Sequence, residues 1–138
     1  MQVHGTVVAD HAPPGTAVLI LGASGSGKTS LALHLLAYGC QLVADDLVEL
    51  VAQDGRLIAA SAAPPLGLEA RGVGILAVPA LASAPVGLVI DMNQIETERL
   101  PPRRSITLCD IALPRLHKCE ATHFPAAILQ YIRHGRLS

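Results

Sequence analysis

The segment that most constrains how this chain can fold is residues 22–29, which read GASGSGKT and match the pattern G-x-x-x-x-G-K-S/T. A short apolar run, TAVLIL over residues 16–21, precedes it and predicts a buried strand. A leucine-rich stretch over residues 28–38 follows it and predicts a helix that ends at Gly39. A strand, a loop and a helix in this order are the context in which the pattern binds nucleotide phosphates.

The residue types in the loop suit a phosphate ligand. Glycines let backbone N–H groups curl around an anion without side-chain clashes, and the following helix points its positive end at the same anion. Lys28 is expected to reach the β- and γ-phosphates, and the Thr29 hydroxyl is expected to coordinate Mg²⁺. We therefore expect ATP and Mg²⁺ as ligands, with the nucleotide bound by Gly22, Ala23, Ser24, Gly25, Ser26, Gly27, Lys28 and Thr29.

Two adjacent carboxylates, Asp45 and Asp46, stand at the end of an apolar strand predicted over residues 41–44. In a strand–loop–helix–strand unit, that end of the strand lies beside the phosphate loop. One carboxylate there can hold Mg²⁺, and the other can accept a proton from an attacking hydroxyl. The alternative is a solvated pair of aspartates at the start of a turn.

The rest of the chain predicts further strands and one more helix. Other short apolar runs predict strands over residues 3–9, 47–52, 56–60, 86–91, 106–111 and 113–118. A loop is expected over residues 62–67, and Thr122 is expected to cap a last helix over residues 124–132. These elements predict a single α/β domain over residues 1–138, with a mixed β-sheet and flanking helices.

Composition limits the class of protein. Hydrophobic residues make up 51% of the chain and charged residues 15%, which is typical of a folded domain. The formal net charge of -1 and the aromatic content of 2% argue against a nucleic-acid partner. No apolar run approaches the roughly 20 residues of a membrane-spanning helix, and the N-terminus lacks a signal peptide. With three scattered cysteines, these features predict a cytoplasmic protein without nucleic-acid or membrane partners.

Four segments, in the same order along the chain, resemble the catalytic domain of bacterial HPr kinase/phosphorylase. Besides residues 22–29, residues 39–46 (GCQLVADD) are similar to the family's R-G-H-x-L-V-A-D-D, with Cys40 in place of the histidine. Residues 3–8 (VHGTVV) resemble its M-H-G-V-x-V strand, and residues 68–75 (LEARGVGI) resemble its L-E-I-R-G-L-G-I signature. The resemblance is strong from His4 to about Val78 and thin afterwards.

The resemblance assigns roles residue by residue. Asp46 would take the proton of a serine hydroxyl and return it in the reverse reaction, while Lys28 would stabilise the transferred phosphoryl group. His4 matches the family's histidine near the reacting phosphate, and Arg99, within the stretch ETERL, matches the arginine of its D-R-L-G segment. The resemblance implies Thr29 and Glu69 as metal ligands. Asp45 is a third expected ligand because of its position at the predicted strand end.

For the whole chain, the resemblance implies a Mg²⁺- and nucleotide-dependent kinase for a serine of the phosphocarrier protein HPr, with phosphorolysis as the reverse reaction. Two departures qualify this. The chain begins at the first catalytic strand, so it resembles truncated versions that lack the family's N-terminal domain. Residues 113–122 lack the P-V-x-x-G-R-N motif associated with dephosphorylation, which favours the kinase over the phosphorylase reaction.

Two other functions remain open on the sequence alone. A P-loop kinase for a small molecule would have a deep pocket and would turn over without a protein partner. A nucleotide-sensing module would bind nucleotide tightly and form no product. The sequence also leaves open whether the chain forms a homo-oligomer.

Overall fold

The computed structural model describes residues 1–62 and 67–138, and these contain nine strands and two helices. In chain order the elements are β1 (Gln2–Ala9), β2 (Ala17–Leu21), α1 (Lys28–Ala37), β3 (Gln41–Gln53), β4 (Arg56–Ser61), β5 (Leu68–Ala70), β6 (Gly74–Leu76), β7 (Ser83–Ile95), β8 (Arg104–Leu108), β9 (Ile111–Lys118) and α2 (Phe124–His134). None of the described helices is long and apolar enough to cross a membrane.

Seven of the described strands form one mixed sheet in the order β2-β1-β3-β4-β7-β9-β8. Strand β7 runs parallel to both β2 and β9, and in the register of these three strands Leu21, Asp91 and His117 are neighbours. Because β7 also pairs with β4, strands β2, β1, β3, β4 and β7 close into a ring. The carboxyl ends of the three parallel strands therefore meet at one edge, where α/β proteins bind their ligands.

Two apolar clusters hold this arrangement together. The first cluster takes side chains from every strand of the ring and fills its interior, with members that include Val7, Leu19, Val48, Leu57 and Val86. The second cluster packs both helices and β5 on the outer face of the sheet, with members that include Ile20, Leu35, Leu68, Leu88 and Ile128. The sheet thus has aliphatic side chains on both faces, which explains why its strands read as nearly continuous apolar runs.

The mixed sheet with flanking helices that the sequence predicts is confirmed. One strand prediction is wrong, because residues 106–111 are not a single strand. Cys109 and Asp110 have φ angles of 51° and 61°, and these two left-handed residues form a tight turn between β8 and β9. The strands predicted over residues 41–44 and 47–52 are one strand, β3, so Asp45 and Asp46 lie inside a strand rather than at its end. Strand β7 also continues to Ile95, beyond the end predicted from its apolar run.

The start of α2 differs from its prediction as well. The N-terminal cap is His123 rather than Thr122, and no side chain forms a capping hydrogen bond. The N–H of Phe124 instead donates to the carbonyl of Ala121, so a backbone turn leads into the helix. The loop predicted over residues 62–67 falls mostly outside the described residues.

Candidate active site

The glycine-rich loop, residues 22–29, joins the end of β2 to the start of α1. Gly25 and Gly27 have φ angles of 83° and 100°, which side chains other than glycine rarely adopt. The first hydrogen bond of α1 runs from the N–H of Leu31 to the carbonyl of Gly27. The N–H groups of residues 28–30 therefore have no partner within the helix, and α1 begins as an open anion-binding end.

The ammonium groups of two lysines donate hydrogen bonds to backbone carbonyls of this loop. Lys28 Nζ donates to the carbonyls of Gly22 at 2.6 Å and Ala23 at 3.1 Å. Lys118, the last residue of β9, donates to the carbonyl of Ser26 at 3.0 Å. The sequence contains only these two lysines, and both are hydrogen-bonded to the loop. The second lysine is a site residue that the sequence motifs did not indicate.

Strand β7 supports the loop from the other side. Asn93 Oδ1 accepts a hydrogen bond from the N–H of Ala23 at 2.9 Å, and the N–H of Asn93 donates to Asp91 Oδ1 at 2.9 Å. Ser26 Oγ is buried and has no hydrogen-bond partner within residues 1–62 and 67–138. A buried hydroxyl without a partner is costly, so this atom is suited to a ligand that the loop would enclose.

A cavity of about 430 Å³ lies against the loop and is lined by the three metal ligands expected from the sequence. Its wall joins loop residues to side chains of β3 and β5, namely Lys28, Thr29, Asp45 and Glu69. Asp45 is held in place by the buried Thr6, whose hydroxyl donates to Asp45 Oδ1 at 2.9 Å. Arg71 also lines the cavity and forms no ion pair with any described residue, so its guanidinium remains available to an anion.

Asp46 and His4 form an exposed pair next to this cavity. Asp46 Oδ1 lies 3.6 Å from His4 Nδ1, and the two side chains are 88% and 81% exposed. Asp46 has a φ of 75°, a left-handed conformation that non-glycine residues rarely adopt inside a strand such as β3. Such conformations are concentrated at functional sites.

Arg99 lies apart from these residues. It is exposed in the bend that follows β7, it does not line the cavity, and it has no hydrogen bond or ion pair with a described residue. The neighbouring cation, Arg104, pairs instead with Glu96 at 3.1 Å, and this bond lowers the pKa of the Glu96 carboxyl below its usual range. A catalytic role for Arg99 therefore stays a prediction.

Cys40, which stands where the related motif has histidine, is a packing residue. Its side chain is a buried member of the second apolar cluster, and the residue lies between the turn after α1 and the first residue of β3. Burial, with a smaller contribution from the charge of Asp10, raises the pKa of the Cys40 thiol to about 11. The thiol is protonated at neutral pH and is therefore a poor nucleophile.

The cavity wall suits Mg²⁺ in its donor chemistry. Mg²⁺ prefers oxygen ligands and is usually bound by one or two carboxylates together with substrate phosphates. Thr29, Asp45 and Glu69 supply a hydroxyl and two carboxylates beside the loop. No cluster of three or more His, Cys, Asp or Glu side chains that would hold a metal by itself occurs in the described part of the chain. A cation here would thus share its coordination with a bound phosphate.

A comparison with family models assigns the chain to a family. Residues 1–101, which include the loop, the paired aspartates and Glu69, match the family model described as the HPr Serine kinase C-terminal domain. The chain belongs to this family. The match extends to residue 101, beyond Val78, where the strong resemblance read from the sequence motifs ends.

Individual relatives agree with the family assignment. The chain is 37% identical over 128 residues to the HPr kinase/phosphorylase of Geobacillus thermodenitrificans, covering 83% of this chain and 40% of that protein. It is 40% identical over 95 residues to the HPr kinase/phosphorylase of Clostridium tetani, covering 68% of this chain and 30% of that protein. The chain thus spans less than half the length of these relatives.

A solved structure shows the same fold. The Hpr(Ser) kinase/phosphatase from Coxiella burnetii superposes with a TM-score of 0.75 at 25% sequence identity. The superposition covers 99% of this chain and 97% of that chain, so β8, β9 and α2 have counterparts there although the family model ends before them.

Proposed function

We propose that residues 1–138 form a catalytic domain that phosphorylates a serine of an HPr-type phosphocarrier protein, using ATP and Mg²⁺ in the cytoplasm. The observation that carries the proposal is the cavity that joins the glycine-rich loop to Asp45 and Glu69, with Asp46 exposed beside it. Membership of the HPr serine kinase family supports this acceptor over a small molecule. Residues 113–122 lack the motif associated with dephosphorylation, so we limit the proposal to the kinase direction.

Different residues of the chain bind the phosphates, neutralise their charge and hold the metal ion during phosphoryl transfer. The N–H groups at the start of α1 bind the terminal phosphates, and Lys28 exchanges its loop carbonyls for phosphate oxygens. Arg71 adds a second positive charge at the cavity wall. Thr29, Asp45 and Glu69 would hold Mg²⁺, which when bound neutralises the charge that develops on the phosphate oxygens.

Asp46 acts as the general base in this scheme. Its carboxylate is open to solvent, so a serine on the surface of another protein can reach it without entering a deep pocket. His4 Nδ1 lies 3.6 Å from Asp46 Oδ1, which is close enough for an electrostatic contact with the carboxylate. An enclosed small-molecule site would require the base to lie inside the cavity, whereas Asp46 lies outside its wall.

The substitution Asp46→Asn tests this assignment. It removes the proton acceptor and keeps the shape of the side chain, so we expect transfer of phosphate to the carrier to fall about 10²- to 10⁴-fold. ATP affinity, measured by calorimetry, should stay within about twofold, because Asp46 does not line the cavity.

Asp54→Asn is the matched control, because Asp54 is also an exposed aspartate with a positive φ, of 53°, but lies in the turn between β3 and β4. It should transfer phosphate at the wild-type rate. Wild-type transfer by Asp46→Asn would rule out Asp46 as the base. Failure of the wild-type chain to phosphorylate any carrier, with ATP binding intact, would contradict the proposed acceptor.

A further inference from the structure

A second cavity, of about 340 Å³, lies on the opposite side of the first turn of α1. Gly27 and Ser30 line both this cavity and the phosphate cavity described above, so the two cavities share part of their wall at the start of α1. Its far wall is the segment between β9 and α2 together with the first residues of α2. Its volume lies within the usual range for small-molecule sites, about 300–1,000 Å³.

The sheet topology fixes the direction in which this cavity extends. The phosphate cavity lies toward β3 and β5, which carry Asp45 and Glu69. The second cavity lies toward β7 and β9, whose ends contribute Met92 and Lys118. A ligand with its phosphates in the loop can extend its remaining part toward either cavity. The first cavity carries the carboxylates of Asp45 and Glu69, so the largely apolar second cavity is better suited to an uncharged group.

The lining of the second cavity has the chemistry of a site for a flat ring. Leu31, Met92, Phe124 and Pro125 give it an apolar wall, and Phe124 is the one phenylalanine of the sequence. Aromatic and thioether side chains make favourable contacts with the face and edge of a heteroaromatic ring. Thr122 and Glu120 at the exposed rim supply oxygen atoms that can accept hydrogen bonds from sugar hydroxyls.

Lys118 marks the junction between the two spaces. Its Nζ donates to the carbonyl of Ser26 and lies only 3.6 Å from the point that a Cβ on Gly27 would occupy. A cation at this point lies between the apolar cavity and the phosphate loop. A cation placed there can pair with the phosphate group that joins a nucleoside to the rest of a nucleotide.

We propose that the second cavity binds the nucleoside part of the nucleotide, with the base against Phe124 and Met92 and the first phosphate beside Lys118. This proposal rests on the proposed function, because it assumes that the loop binds nucleotide phosphates. It predicts that ATP binds more tightly than inorganic triphosphate, which carries the same phosphates without a nucleoside. We expect a difference of at least about tenfold in Kd.

The substitution Ala121→Trp tests the site by filling it. Ala121 is exposed and lines the second cavity but not the phosphate cavity. We expect the variant to bind ATP at least about tenfold more weakly and to bind triphosphate as the wild-type chain does. Binding is measured by calorimetry at a fixed Mg²⁺ concentration, and retained triphosphate binding also shows that the variant is folded. Ala121→Leu, a smaller change, is measured beside it so that a folding defect in one variant leaves the other informative.

Ala127→Trp is the matched control, because Ala127 is exposed on α2 and lines neither cavity. It should bind both ligands like the wild-type chain. Unchanged ATP affinity in both Ala121 variants, or an equal loss of ATP and triphosphate affinity, would overturn the proposal. Equal affinity of the wild-type chain for ATP and triphosphate would also overturn it and leave the proposed function standing. If the wild-type chain bound neither ligand, the proposed function would fail together with the nucleoside site.

Discussion

At the scale of single residues, the glycine-rich loop is surrounded by more positive charge than its motif alone provides. The motif accounts for Lys28, whereas Lys118 reaches the loop from the end of β9 and Arg71 reaches the cavity from the segment after β5. A sequence signal for Lys118 does exist, since it is a cation at the end of a predicted strand. Without knowledge of the parallel pairing of β7 with β9, that signal does not point to the loop.

The substitution Lys118→Met tests this added charge. It keeps most of the aliphatic chain and removes a charge-assisted contact to phosphate, which is typically worth about 1.5–3 kcal/mol. We therefore expect ATP to bind at least about tenfold more weakly in calorimetry. Arg56→Met is the control, because it also removes one positive charge but at the exposed start of β4, where the side chain lines neither cavity. It should leave ATP affinity unchanged. Equal ATP affinity in the wild-type chain and Lys118→Met would exclude Lys118 from the phosphate site.

At the scale of elements, the position of Asp46 and His4 depends on close packing of β1 between β2 and β3. Gly5 pairs with Leu21 on one side and with Asp46 on the other. A Cβ at Gly5 would lie 2.7 Å from the carbonyl oxygen of Ile20, which belongs to the backbone and cannot move aside cheaply. The glycine next to His4 is therefore required by the sheet itself.

The substitution Gly5→Ala should separate β1 from β2. We expect it to lower the free energy of unfolding by about 1–3 kcal/mol, as overpacking of a well-packed interior does. Urea unfolding monitored by circular dichroism measures the change. Gly55→Asn is a suitable control, because Gly55 has open space around it and a φ of 75° that asparagine tolerates. Equal stability of Gly5→Ala and the wild-type chain would show that the sheet adjusts without cost.

Local sequence patterns predicted the elements around the loop but not the closure of the sheet. The strand before the loop and helix α1 each have a strong local signal, and both are confirmed. The strand predicted over residues 41–44 does form, but its predicted end before Asp45 is wrong, because β3 continues through both aspartates to Gln53. The ring depends on β7 pairing with both β2 and β4, which are distant in sequence and leave no local pattern. The turn at Cys109 and Asp110 was missed because neither residue is the glycine that usually marks such a turn.

At the scale of the whole molecule, one ion pair ties the C-terminal helix to the first hairpin. Arg133 on α2 donates to both carboxylate oxygens of Asp10, at 2.7 and 2.9 Å, and the Asp10 side chain is only 4% exposed. This bond holds the pKa of the Asp10 carboxyl below its usual value, against the opposing effect of burial. The pair fixes α2, which forms part of the wall of the second cavity.

This ion pair predicts a specific dependence of stability on pH. Because the folded state lowers the pKa of Asp10, the pair stabilises fully above the ordinary carboxyl pKa, near 3.8, and its contribution is lost as the pH falls through the lowered value. Arg133→Met should therefore unfold at lower urea concentration than the wild-type chain at pH 6. The difference should shrink below about pH 4, where the unpaired Asp10 becomes protonated.

A series of urea titrations between pH 3 and pH 7 measures this dependence, with Arg56→Met as the control for loss of one surface charge. The groups that also face Asp10 are His11, at 3.7 Å, and the protonated thiol of Cys40. His11→Gln in the same background separates histidine titration from that of Asp10. A difference between the wild-type chain and Arg133→Met that stays constant over this pH range would contradict the account of the pair.

The central claim is that this chain transfers phosphate from a nucleotide to a serine of an HPr-type phosphocarrier protein. The most direct measurement is the intact mass of that carrier after incubation with the chain, ATP and Mg²⁺, followed by fragmentation to locate the modified residue. The account predicts one added phosphate on a serine with the wild-type chain and none with Lys28→Ala, which lacks the loop's own lysine. An unmodified carrier in the presence of the wild-type chain, or equal modification by Lys28→Ala, would contradict it.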